Sequence, residues 1–164
     1  MKSDRIGFGG GCHWCTEAVF VALKGVKKVE QGFISSLVPN DSFSEAVIVS
    51  FDPEKIDLAI LIEIHLRTHA STSDHSMRGK YRSAIYTFDD MQLLAAKTDI
   101  ERLQSDFGKT IVTEVMPFVQ FKSSDERFHN YYGTDPTRPF CTAYIDPKLK
   151  LIRERFSTNV HASG

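Results

Sequence analysis

Cysteine is scarce in this 164-residue chain and odd in number, with Cys12, Cys15 and Cys141 the only three. That count argues against a secreted disulfide scaffold, and it leaves buried small residues or reactive thiols. Long hydrophobic runs are missing: the most apolar stretches are "AVFVAL" and "AILIEIHL". Both are far below the roughly 18 residues that a membrane-spanning helix needs. The opening "MKSDRIGFGG" has no apolar export core. Charge bias is missing too, with 20 Lys and Arg against 21 Asp and Glu. No basic stripe suggests nucleic acid, and near-neutrality gives no electrostatic pointer to a partner. The one concentrated basic stretch, "KLKLIRERF", alternates charge with Leu149, Leu151, Ile152 and Phe156, and reads as a docked amphipathic helix. Repeats, low-complexity tracts and linkers are also lacking. The expectation is one domain over 1–164, cytoplasmic, with neither a membrane nor a nucleic acid as partner.

The apolar pattern supplies the elements. "RIGFGG" reads as a short strand ending in a glycine turn, and residues 12–24 as a buried helix stopped by Gly25. "VKKVEQGFIS" and "SEAVIVSFD" read as strands, the second ending at the Asp52-Pro53 turn. A helix is expected over 57–69, with Asp57 as N-cap and Leu58, Leu61, Ile62 and Leu66 on one face. "SAIYTF" is a strand, residues 89–107 a helix, and "TEVMPFVQF" a strand that Pro117 assigns to an edge or a bulge. The fold class is α+β: a ferredoxin-like split β-α-β-β-α-β core with an additional C-terminal strand and helix. The segment 122–147 is expected as a long wrapping loop.

"GGGCHWCTEAVF", Gly9 to Phe20, concentrates the chemistry. Cys12 follows three glycines and opens a helix, where unpaired N–H groups and a partial positive charge favour a thiolate. Cys15, three residues on, shares its face at a spacing that a disulfide tolerates. A redox pair, half of a metal site and plain helix packing all remain open at this point. Zinc would need two more ligands, from Cys141 and His13, His65, His69, His75, His129 or His161. The only paired spacing among these, His65-x-x-x-His69, lacks a metalloprotease Glu. A thioredoxin-like pair belongs to a different strand-helix order.

The same segment resembles the active-site segment of the peptide methionine sulfoxide reductase A family, in which a glycine-preceded Cys is followed by an aromatic, Trp and, shortly after, Glu. Further segments are similar in the same order. "SEAVIVSFDP" resembles the family's Glu-bearing strand, and "KYRSAIY" its Gln-Tyr-Arg-Ser-Ala-Ile-Tyr. "SSDERFHNYY" resembles its acidic, aromatic, His-containing stretch, and "DPKL" its C-terminal Pro-Lys. The resemblance implies Cys12 as nucleophile toward methionine-S-sulfoxide, protein-bound or free, through a sulfenic acid. It implies Glu45 and Tyr81 as hydrogen-bond donors to the sulfoxide oxygen, and Trp14 as a wall for its methyl group. Burial should keep the Glu45 carboxyl protonated. Recycling runs through a disulfide and thioredoxin or a similar dithiol, and no cofactor or metal is called for.

Three departures stand out. His13 occupies the place of a common Phe, which should make the rate depend on imidazole protonation. Phe33 stands where many members carry a donating Tyr, so the substrate pocket is expected to be lined by His13, Trp14 and Phe33. "SDHSMRGKYRS" departs from the usual Asn-Asp-x-Gly-x-Gln: Ser76 takes the Asp position, and Asp74 would replace it only with a shift. The tail "NVHASG" has no Cys. The resolving thiol is then Cys141, if 122–147 folds over the site, or the nearby Cys15. Two other functions fit the same residues: a general thiol-disulfide oxidoreductase using Cys12 and Cys15, and a redox sensor without reductase activity.

Overall fold

The computed structural model describes residues 4–73, 80–125 and 129–161. The chain runs β1 (Asp4–Gly9), α1 (His13–Val21), β2 (Val26–Ser35), β3 (Ser44–Phe51), α2 (Leu58–Thr68), β4 (Ala84–Thr87) and α3 (Asp90–Leu103). It continues through β5 (Glu114–Pro117), β6 (Gln120–Ser123), a short α4 (Tyr131–Thr134) and a π-helical turn over Cys141–Ile145 into α5 (Asp146–Arg155). The architecture is mixed α/β, built on a curled six-stranded sheet in the order β5-β4-β1-β3-β2-β6. All neighbours are antiparallel except β4 and β5, which are parallel.

Both faces of the sheet are buried, which explains why "SEAVIVSF" carries consecutive apolar residues. Val47, Val49 and Phe51 point with Ile6, Phe8 and Ile85 into the main core beneath α1, α2 and α5. The alternate residues Ala46 and Ile48 meet Ile34, Ala84, Tyr86 and Met116 in a smaller cluster on the concave face. Burying each large side chain contributes roughly 1.5–3 kcal/mol. Gly7 lets that concave face close. A Cβ there would stand 2.9 Å from the Tyr86 Cβ and 3.0 Å from the Ile34 Cδ1.

"TEVMPFVQF" is not one strand. Pro117 ends β5, and residues 118–119 carry the chain to β6 on the opposite margin of the sheet. With two linking residues, Pro117 and Gln120 stand at most about 11 Å apart. The margins must therefore come together, and the backbone shows how: Phe118 N–H donates to Thr87 O at 2.8 Å, and Val119 N–H to Ser35 O at 3.1 Å. Proline, with no N–H of its own, sits where no ladder bond is required.

Three other expectations are adjusted. Helix α1 stops at Val21, and Gly25, at φ 90°, instead turns the chain beneath Ile56. Asp57 is the α2 N-cap by position, but its side chain makes no capping bond. Segment 122–147 is not one loop, since it holds the end of β6, α4 and the π-helical turn. The basic tail forms α5 and buries Leu149 and Ile152.

Candidate active site

Cys12 is fixed from both sides. Strand β1 delivers the chain to a glycine turn, where His65 of α2 donates its Nε2–H to Gly9 O at 2.7 Å. Gly10 has φ 151°, and a Cβ there would enter the His69 ring. Cys12 is then the N-cap of α1, with its carbonyl accepting from Cys15 N–H at 3.1 Å and Thr16 N–H at 3.3 Å. His65 and His69 stack with ring centroids 4.2 Å apart. They are the platform under the glycine turn.

One side of Cys12 carries the polar groups. The His13 backbone N–H donates to Glu45 Oε1 at 3.2 Å. The His13 ring donates from Nδ1 to Gly32 O at 2.9 Å, which turns Nε2 toward Glu45 Oε1 at 3.6 Å. Glu45 is 7% exposed and lies opposite Phe33 in the β2–β3 register. The Phe33 ring meets His13 edge-on at 5.3 Å. Lys80 Nζ stands 3.6 Å from Glu45 Oε2 and 5.1 Å from the centroid of the Tyr81 ring. Hydrogen bonding to Tyr81, more than the nearby Glu45 charge, raises the Lys80 ammonium above the usual lysine range. The carboxyl thus stands among a backbone N–H, an imidazole and an ammonium. Ser76 and Asp74 lie outside the described residues.

The other side of Cys12 is a cavity of about 210 Å³. Cys15, His65, His69 and Lys148 line it together with Cys12, and Glu45, His13, Phe33 and Tyr81 do not. The Cys12 thiol hydrogen-bonds to Cys15. That bond, and then burial, push Cys12 above the ordinary thiol range. The same bond draws Cys15 down, with the Lys148 ammonium assisting. The hydrogen bond thus ties the two thiols into one pair at the start of α1. Lys148 reaches into the cavity from α5 and donates to Thr68 O at the end of α2. Cys141 is set apart: it is fully buried in the π-helical turn, its thiol donating to Asp135 O at 3.6 Å.

Sequence reading missed two positioning residues. Glu17 lies buried in α1, accepting from Gln31 Nε2 at 3.0 Å, Asn130 N–H at 2.8 Å and Tyr131 N–H at 3.2 Å. It ties the chain around residue 130 to α1, so that Tyr131 stacks on Trp14 at 4.2 Å and Phe140 meets Trp14 edge-on at 5.4 Å. The signal was an acidic residue inside an otherwise apolar helix. Arg82 closes the end of the curled sheet, donating to Ile34 O at 3.1 Å, Ser42 O at 3.0 Å and Tyr86 Oη at 3.1 Å.

Comparison with known proteins agrees with this geometry. The family model for peptide methionine sulfoxide reductase matches residues 4–160. A peptide methionine sulfoxide reductase MsrA from Deinococcus radiodurans is 36% identical, covering 91% of this chain and 80% of its own length. Its counterpart from Sulfolobus acidocaldarius is 35% identical over 90% of this chain and 92% of its own. Among solved structures, reduced Mxr1 from Saccharomyces cerevisiae superposes with a TM-score of 0.77 at 22% identity, covering 87% of this chain and 91% of its own. Mxr1 in complex with Trx2 gives 0.64 at 23% identity, covering 79% of this chain and 85% of its own. With Glu45 meeting the start of α1 at His13, next to the glycine-led Cys12, and the family model running almost end to end, the chain belongs to the peptide methionine sulfoxide reductase A family.

Proposed function

We propose that this chain reduces methionine-S-sulfoxide, protein-bound or free, to methionine. The observation that carries the reading is the contact between the start of α1 and Glu45, which sets a thiol beside a buried polar group inside a family-wide match. Cys12 sulfur attacks the sulfoxide sulfur, and oxygen passes to Cys12. The thiol becomes a sulfenic acid while the sulfoxide becomes a thioether, a two-electron exchange. Glu45 and Tyr81 mark the polar end that receives the oxygen, and His13, Trp14 and Phe33 the apolar end that receives the methyl group. A sheet order of β4-β1-β3-β2 with antiparallel neighbours supports the ferredoxin-like split core.

Cys15 resolves the sulfenic acid. Its sulfur attacks that of Cys12, the S–O bond breaks, and the oxygen leaves as water. The hydrogen bond between the two thiols supports this choice over the buried Cys141. A dithiol reductant reopens the disulfide, and a relative solved with Trx2 points to thioredoxin as that partner. The Cys12–Cys15 contact also favours a second reading, general thiol-disulfide exchange. One assay separates them: methionine formed from each sulfoxide epimer with dithiothreitol, for the parent and Cys12→Ser. Methionine from the S epimer alone, lost in Cys12→Ser, is expected; disulfide exchange without methionine would overturn the reading.

A further inference from the structure

We propose that His13 and Glu45 share one proton, and that this pair is the acid of the site, with Glu45 handing the proton to the sulfoxide oxygen. The inference rests on the sulfoxide-reductase reading above and names the partner of its carboxyl. The imidazole is fixed at its edge. Nδ1 stands 2.9 Å from Gly32 O, and a carbonyl only accepts, so Nδ1 carries the ring hydrogen. In the neutral ring Nε2 is then an acceptor. It faces Glu45 Oε1 at 3.6 Å. Both residues are buried, at 6% and 7% exposed, so little solvent reaches the gap between them.

A carboxylate opposite a bare Nε2 would set lone pair against lone pair. One proton removes the conflict. On Glu45 it points at Nε2; on Nε2 it makes an imidazolium beside a carboxylate. The main chain holds the two in place, since the His13 backbone N–H donates to the same Oε1 at 3.2 Å. Contacts that pass a proton are often long before substrate binds and tighten in the complex. Oε2 lies outside the pair and faces the Lys80 ammonium at 3.6 Å, on a side chain that is 58% exposed. The other titratable groups around the pair are Tyr81, beside Lys80, and Cys12, next to His13. Strand β2 presents the Gly32 carbonyl and the Phe33 ring. Both imidazole nitrogens work at the ring's edge, which leaves a face for the methyl group.

The step balances. As the Cys12 sulfur attacks, the pair gives its proton through Glu45 to the sulfoxide oxygen. That oxygen bonds to Cys12 as –OH while the old S–O bond breaks. The proton that Cys12 loses returns through solvent to the pair, where Nε2 and the carboxylate both accept it. The sum is thiol plus sulfoxide giving sulfenic acid plus thioether. Two groups that share a proton hold it to higher pH than the carboxyl alone, so the site stays loaded further into the alkaline range.

The test is single-turnover methionine formation from the S-sulfoxide, without recycling reductant, over a range of pH. His13→Asn keeps an amide donor for Gly32 O but has no basic nitrogen in the place of Nε2. Its alkaline fall in rate is expected about one pH unit below the parent's, the scale at which two groups titrate as a pair. Above both falls it is then about 10-fold slower than the parent, and the two rates converge in acid. In a Glu45→Gln background, His13→Asn should cost no further rate, because no carboxyl proton is left to share. In the parent itself, nitrogen NMR of the His13 ring should show Nδ1 protonated throughout and Nε2 shifting over the pH range where the rate falls. Superimposable parent and H13N profiles overturn the proposal. So does an H13N enzyme slowed equally at every pH, which leaves His13 a structural role. So does slowing that persists beside E45Q, which places the action of the ring on Cys12, and so does a ring whose Nδ1 carries no proton. A parent that forms no methionine refutes the underlying reading instead.

Discussion

Cys12 divides two environments that handle different atoms. On the Glu45 side stand a carboxyl, an imidazole, an ammonium and a phenol, groups suited to a hard oxygen that gains a proton. On the cavity side stand a second thiol, two stacked imidazoles and Lys148, groups suited to holding and releasing a soft sulfur anion. Reduction of a sulfoxide needs both in succession. The fold supplies them by starting α1 between β3 and α2, so that one residue faces each in turn.

Substitutions on the two sides should separate two half-reactions. The largest effect is expected from Glu45→Ala, which frees both the His13 N–H and the Lys80 ammonium. Misplacement of this kind costs about 100-fold, and stopped single-turnover assays of methionine release measure it. Cys15→Ser should leave that first turnover intact but stop at a burst of about one methionine per enzyme with thioredoxin as the reductant, because dithiothreitol reduces a sulfenic acid directly. Continued turnover at the parent rate would return the resolving role to Cys141. Lys148→Met should act more mildly. The ammonium lowers Cys15, so its loss raises that thiol and shrinks its thiolate fraction at neutral pH. Alkylation of Cys15, followed by site-resolved mass spectrometry against pH, should then begin at higher pH. Glu17→Ala should touch neither half-reaction directly. Leaving Asn130 and Tyr131 N–H groups without their acceptor should cost about 1–3 kcal/mol, read as a lower midpoint in urea.

Much of this was legible in the residues. The strands β1 to β4 and the helices α2, α3 and α5 follow from period and turn residues, because each buries one coherent face. The broken strand around Pro117 was not, because local pattern says nothing of a sheet curled until its margins meet. The sequence named Cys12 and Glu45, and the structure brings Glu45 to the His13 N–H, 32 residues away along the chain and next to Cys12. Lys80 and Lys148 were not legible. A lysine reads as solvated surface unless the fold shows what its ammonium reaches. The bond between the two thiols was not legible for a related reason: only packing shows that contact.

The short crossing at Phe118 and Val119 also governs how this protein meets other chains. It leaves the outermost strands, β5 and β6, only four residues each, with β5 ending in a proline. Long open strand margins recruit loose polypeptide and seed aggregation. A peptide methionine sulfoxide reductase works amid polypeptide of this kind. By drawing its own margins together, it can visit such chains without being captured.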